Sequence, residues 1–228
     1  MNELKNEDIE FNTVCEEWLY FKKNKVKESS YLNYKFIIDK HLKNDFRSKQ
    51  ISYFKEYDLN KYIDKLKEKL ANKTIRDIIS VFKSILRYTE RKYNMDFKLD
   101  LISCPTIYQK EIEIFSEKEK LKLEKYLLSS QELKNIGILI SLYYSGLRIG
   151  EICSLKWSNI DFDSKLIYVN HTMQRVYMEK NKTQVIITEP KTKKSIRKIP
   201  IAKTLYNKLK EVSGNYSKDN YILAREKR

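Results

Sequence analysis

The chain has 228 residues, 41% hydrophobic and 34% charged, with only four Gly and three Pro, so it fits one large or two small globular domains. Collagen-like, low-complexity and broadly disordered chains are excluded by the same figures. Forty-six Lys and Arg against 31 Asp and Glu leave a formal charge of +15 and a pI near 9.4, which points to a polyanionic partner.

From Phe11 to Lys25 the set Phe11, Val14, Cys15, Trp18, Leu19 and Phe21 recurs near helical spacing, and Glu28-Ser29-Ser30 reads as a break with a new N-cap. A second helix is expected from about Ser30 to Leu42. Asp58 is placed to cap a third, with Leu59, Tyr62, Ile63, Leu66 and Leu70 on one face. Asn72 or Thr74 is placed to cap a fourth, with Ile75, Ile78, Ile79, Phe82, Ile85 and Leu86 inward. These four make a helical bundle over residues 1–93. Between Tyr93 and Ile114 the period fails and Cys104-Pro105 favours extended backbone, so 94–114 is expected to be a linker.

Ser116-Glu117-Lys118-Glu119 is a capping box that opens a second domain, 115–228, through a helix with Leu121, Leu123, Tyr126 and Leu127 inward. Glu132 to Tyr144 reads as a largely buried helix stopped at Ser145-Gly146, where glycine can adopt a left-handed cap. After Trp157 three short β-branched runs, Lys165–Val169, Gln184–Thr188 and Ser195–Ile199, predict a small antiparallel sheet closed by Pro200. A last helix, Ala202 to Val212, should face inward through Leu205, Tyr206 and Leu209.

The longest uncharged apolar stretch, Ile136 to Leu147, is short of the ~20 residues of a membrane span. The acidic start lacks the basic and apolar regions of a signal peptide, so a cytoplasmic protein is expected. Cys15, Cys104 and Cys153 form no Cys-x-x-Cys pair, and His41 and His171 have no ligand-spaced partners, so free thiols, no metal and no cofactor are expected. Residues 165–203 hold ten basic residues against Glu179 and Glu189, over half the excess charge of the chain. An AT-rich genome also yields many Lys, Asn, Ile and Tyr residues, which weakens composition as an argument but leaves the clustering.

Two segments carry candidate chemistry. Tyr144-Ser-Gly-Leu-Arg-Ile-Gly-Glu151 puts Arg148 directly after a helix–helix turn, where a planar guanidinium can hold two phosphate oxygens, with Glu151 three residues on to fix its rotamer. In isolation the octapeptide fits an ordinary surface ion pair as well. In Thr188-Glu-Pro-Lys-Thr-Lys-Lys-Ser-Ile-Arg-Lys-Ile-Pro-Ile201, Lys191 sits on the predicted turn joining the last two strands, where it can give a proton to a leaving alkoxide. A solvated basic hairpin is the alternative.

Together and in this order, "SGLRIGEICSLKWSNIDF" and "PKTKKSIRKIPI" resemble the first arginine motif and the β-hairpin lysine motif of the tyrosine recombinase (phage integrase) family, and residues 10–92 resemble its helical core-binding domain. The resemblance implies a mainly α fold with a small antiparallel sheet: a SAM-like core-binding domain followed by part of an α+β catalytic domain, closing as a clamp around duplex DNA. It implies that Arg148 clamps the scissile phosphate, Glu151 supports it, and Lys191 assists the departing 5′-hydroxyl. A tyrosine would attack to give a 3′-phosphotyrosyl link without metal or cofactor. Lys193 and Lys194 would contact DNA, as would Asn33, Asn72, Lys73, Arg76 and Lys83 from the polar faces of helices two and four. Further protomers are implied as partners, a tetramer on synapsed DNA. The family's H/K-x-x-R motif and nucleophilic tyrosine have no counterpart here, so the chain resembles a recombinase cut within its catalytic domain. Two rival readings stay open: a non-catalytic DNA-binding regulator derived from a recombinase, and a basic helical module binding RNA or protein.

Overall fold

Apolar side chains gather into two separate cores in the computed structural model, which describes residues 9–56, 59–108, 111–144, 146–178, 182–190 and 193–223. One unit takes the chain to residue 111 and includes 176–183; the other holds 112–175 and 184–228.

In the first unit, α1 (Phe11–Lys23) buries Phe11, Val14, Cys15, Trp18 and Leu19 as a helical stripe, whereas Phe21, expected with them, is exposed. The second helix, α2 (Glu28–Ile37), opens before the expected Ser30, with the Glu28 carboxylate favourably placed at its N-terminus. It continues through a π-helical turn, Ile38–Leu42, into α3 (Lys43–Phe46). The buried residues Ile38, Leu42 and Phe46 are each four apart, a spacing that drifts around an α-helix, and the wider turn keeps them on the core side.

Helices α4 (Tyr53–Glu56), α5 (Leu59–Lys67) and α6 (Asn72–Tyr93) complete this bundle. The rings of Phe11, Phe46, Phe54 and Phe82 meet pairwise at 5.1–6.1 Å, the range in which aromatic pairs add about 0.5–1.5 kcal/mol beyond burial. Tyr62, buried beside them, donates its hydroxyl to the His41 carbonyl at 3.0 Å. Asp58, the expected cap of α5, lies outside the described residues. Neither Asn72 nor Thr74 caps α6: Ala71 holds that position, and the Asn72 amide donates instead to the Thr106 carbonyl at 2.8 Å. Phe97 and Leu99, inside the expected linker, are buried in this same core.

The second unit begins with α7 (Glu117–Ser129), whose capping box forms as expected: Ser116 Oγ accepts from the Glu119 N–H, and Glu119 Oε2 accepts from the Ser116 N–H at 2.8 Å. Its expected inner face is corrected. Leu127 is buried and Leu123 half-buried, but Leu121 and Tyr126 are exposed. In α8 (Leu133–Tyr143) Ile136, Leu139 and Ile140 are buried and Ile138 is exposed. The stop after α8 uses no left-handed glycine: Gly146 has no positive φ, and the helix ends at Tyr144, whose hydroxyl donates to the Pro200 carbonyl at 2.6 Å and accepts from the Ala202 N–H at 2.8 Å.

After α9 (Ile149–Cys153) the described residues form five strands in two sheets where one sheet of three was expected. β1 (Ile160–Asp161), β2 (Leu166–Val169) and β5 (Arg197–Pro200) form an antiparallel sheet in the order β1-β2-β5, with Ile199 opposite Ile167. β3 (Thr172–Tyr177) pairs with β4 (Thr183–Thr188) separately. Val185 and Ile187 of β4 are exposed, so this strand brings no buried face to the larger sheet. The chain then enters α10 (Lys203–Ser213), which buries Leu205, Leu209 and Val212, while Tyr206 is only half-buried. Among the described residues no helix is long and apolar enough to cross a membrane.

Candidate functional site

The turn from α8 into α9 is held by its flanks. Leu147 and Ile152 are buried on either side of Arg148, and the Leu147 N–H donates to the Tyr144 carbonyl at 2.9 Å. Arg148 is the N-cap residue of α9, in extended backbone, one position before the first turn. Gly150 then lets α9 approach β3: a β-carbon there would lie 2.6 Å from both the Met173 carbonyl oxygen and Thr172 Oγ1. A glycine between Arg148 and Glu151 is therefore a packing requirement.

Glu151 is the centre of the site. Its side chain is 2% exposed, yet it is a carboxylate, and such a group is stable in the interior only when its charge and lone pairs are met. Two arginines meet them. Arg148 donates its main-chain N–H to Oε2 at 3.0 Å and Nη1 to Oε1 at 2.9 Å. From β5, Arg197 donates Nη2 to Oε2 at 2.9 Å and Nη1 to Oε1 at 3.3 Å. Burial on its own would raise the Glu151 carboxyl, but the hydrogen bonds from Arg197 and from the backbone and side chain of Arg148 outweigh it and hold the group below the ordinary carboxylate range. One negative and two positive charges remain, and the Arg148 side chain is 72% exposed. The arrangement presents a guanidinium to solvent on a fixed carboxylate base, which suits recognition of a phosphate.

Arg197 is the member that the motif reading missed. Its signal lay in the strand alternation: β5 turns Arg197 and Ile199 to one side and Lys198 and Pro200 to the other, and an arginine on the inward face of a strand needs a buried partner. The other expected residues are placed as follows. Lys191 lies outside the described residues, as does the side chain of Lys193, whose backbone forms a short turn, Lys193–Ser195, before β5. Lys194 is exposed. The expected hairpin between the last two strands is corrected, because β4 and β5 belong to different sheets. In the first unit Asn33, Lys73 and Arg76 are exposed, but Asn72 and Lys83 are half-buried and donate to carbonyls of the following segment, Lys83 to Ile102 at 3.3 Å.

Residues 113–228 match the family model of the phage integrase family, and residues 10–67 match that of the phage integrase N-terminal SAM-like domain. The chain is 30% identical over 219 residues to a tyrosine recombinase XerC-like protein of Caldanaerobacter subterraneus subsp. tengcongensis, covering 90% of this chain and 55% of that one. Its fold is similar to that of the Tn1549 transposon integrase, solved in complex with transposon right end DNA, with a TM-score of 0.71 at 20% identity over 93% of this chain and 71% of that one. A lambda integrase tetramer bound to a Holliday junction is also similar, with a TM-score of 0.57 at 13% identity over 79% and 51% of the two chains. The chain spans 53–61% of the length of the first curated relatives it matches.

Proposed function

Because this chain belongs to the phage integrase family, we propose that it serves site-specific DNA recombination by strand cleavage and rejoining, with duplex DNA and further recombinase protomers as partners. The observation that carries this reading is the Arg148–Glu151–Arg197 cluster, which keeps an exposed guanidinium on a buried carboxylate at the turn where the family motif calls for its first arginine. Arg148 grips two nonbridging oxygens of the scissile phosphate and stabilises the charge that builds as a tyrosine attacks. Lys191 gives its proton to the 5′-oxygen as the strand breaks, and the phosphodiester energy is kept in a 3′-phosphotyrosyl bond. In this reading the second arginine motif and the tyrosine are supplied from outside residues 1–228. The polar face of α6, with Lys73 and Arg76 exposed, and the basic segment around Lys193 and Lys194 touch the DNA backbone. The DNA in the solved transposon integrase supports duplex DNA as the partner, and the lambda tetramer supports further protomers.

The test is Arg148→Lys in the cleavage-competent recombinase that carries these residues. A point charge cannot reproduce a two-pronged grip, so cleavage should fall at least about 100-fold while DNA affinity stays within a few fold. Cleavage at the normal rate overturns the role of Arg148. A recombinase that binds its site and never cuts it favours the regulator instead.

A further inference from the structure

Among the described residues, the Arg197 guanidinium donates to three separate parts of the candidate site. Nη2 and Nη1 reach the two oxygens of Glu151 at 2.9 and 3.3 Å. Nη1 also donates to the Ser195 carbonyl at 2.9 Å, in the turn that ends the basic segment, and Nη2 to the Gly146 carbonyl at 3.5 Å, two residues before Arg148. One planar side chain, 31% exposed, thus bridges β5, the turn before β5, the turn before α9, and the carboxylate within α9.

The charge balance gives this bridge a consequence. Paired with Glu151 alone, Arg148 would be half of a neutral ion pair, and a phosphate would compete with the carboxylate for it. With Arg197 on the same carboxylate the cluster carries a net +1. Glu151 then orients Arg148 through one Nη1 contact and its N–H, and the rest of the exposed guanidinium stays available to an incoming anion. We propose that Arg197 is a positioning residue that acts on the scissile phosphate through Glu151 and Arg148, locking the turn before α9 to the turn before β5. This rests on the recombinase reading above.

Two measurements test it. The first needs no activity: amide hydrogen exchange on residues 1–228 with Arg197→Ala, and with Arg197→Lys as the variant that retains the charge. Loss of charged hydrogen bonds should raise exchange about tenfold or more in peptides spanning 144–153 and 193–199 together, with α10 and the first unit unchanged. Arg197→Lys should show a smaller rise at the same two places. Exchange that rises at one turn only, at neither, or throughout the second unit in both variants overturns the lock. The second is a double-mutant cycle on the rate of single-turnover cleavage by the recombinase that carries these residues. Arg197→Ala should slow the wild type by about tenfold or more yet add little to Arg148→Ala, with DNA affinity unmoved. Independent, multiplying effects would mean a structural role and sink the proposal. A parent protein that fails to cleave defeats the functional reading instead, and the exchange result then decides the lock alone.

Discussion

Glycine 150 and glycine 146 flank the same arginine, and only one of them is there for space. A β-carbon at 150 would sit 2.6 Å from backbone of β3, whereas one at 146 meets nothing within 4 Å and the backbone there has no positive φ. Gly150→Ala should therefore cost about 1–3 kcal/mol, as forced overpacking does, and Gly146→Ala should lie within a few tenths of zero or stabilise slightly. Urea denaturation of the two variants checks the contrast; equal effects would mean that α9 does not press on β3. Glu151 gives a pH signature. Its carboxyl is held below the unfolded value, so the stability it contributes is fully present above roughly pH 4.3 and is lost as pH falls through the lower folded value. Glu151→Gln should lose about 3 kcal/mol near pH 7, and the gap to the wild type should narrow in acid; a gap independent of pH would contradict the charged cluster. Arg148 and Glu151 were legible in the sequence because their spacing is local. Arg197 was not, because its partner is 46 residues away and only folding brings β5 to α9.

Elements were readable wherever a local period decided them. The stripe of α1, the capping box of α7 and the inner residues of α6 follow from spacing alone. What went unread depended on distant partners: the Asn72 amide leaves the cap of α6 for the Thr106 carbonyl, and β5 passes over its neighbour β4 to pair with β2. The first of these sharpens what α6 offers a nucleic acid. Asn72 and Lys83 spend donors on the carbonyls of Thr106 and Ile102, which leaves Lys73 and Arg76, three residues apart on one exposed face, as the cations of α6 best placed, among the described residues, to meet DNA. Changing Lys73 and Arg76 together to Ala should reduce footprint protection and flatten the salt dependence by about two phosphate contacts, whereas Asn72→Ala should loosen the 102–106 segment with little change in the footprint. An unchanged footprint in the double variant would remove this face from the interface.

At the scale of the molecule, two cores with their own aliphatic and aromatic clusters support a surface whose charge is +15, more than half of it in residues 165–203. The failing helical period after Tyr93 marks the end of α6, while the first unit runs on to residue 111. Nothing local could show that 176–183 groups with the first unit, across more than sixty residues of chain. Residues 1–228 on their own should bind duplex DNA, with affinity falling on a log–log plot by roughly 0.9 per phosphate neutralised, and should form no covalent adduct with it. A tyrosine hydroxyl, with a pKa near ~10, becomes a useful nucleophile only among several cations around the phosphate, and the proposal made above places two of that set, Arg148 and Lys191, in these residues. Four of the described tyrosines have hydroxyls that are already engaged. Burial and then the neighbouring Glu17 push the Tyr93 hydroxyl up, burial and then Glu124 do the same to Tyr143, and Tyr62 and Tyr144 donate to backbone carbonyls. A raised hydroxyl pKa is the opposite of activation. Incubation with a nicked suicide substrate, followed by denaturing electrophoresis, should leave the protein band unshifted at salt concentrations where binding is saturated. A shifted band whose linkage maps to any of the 17 tyrosines would place the nucleophile within these 228 residues and reverse the division of labour proposed for the recombinase.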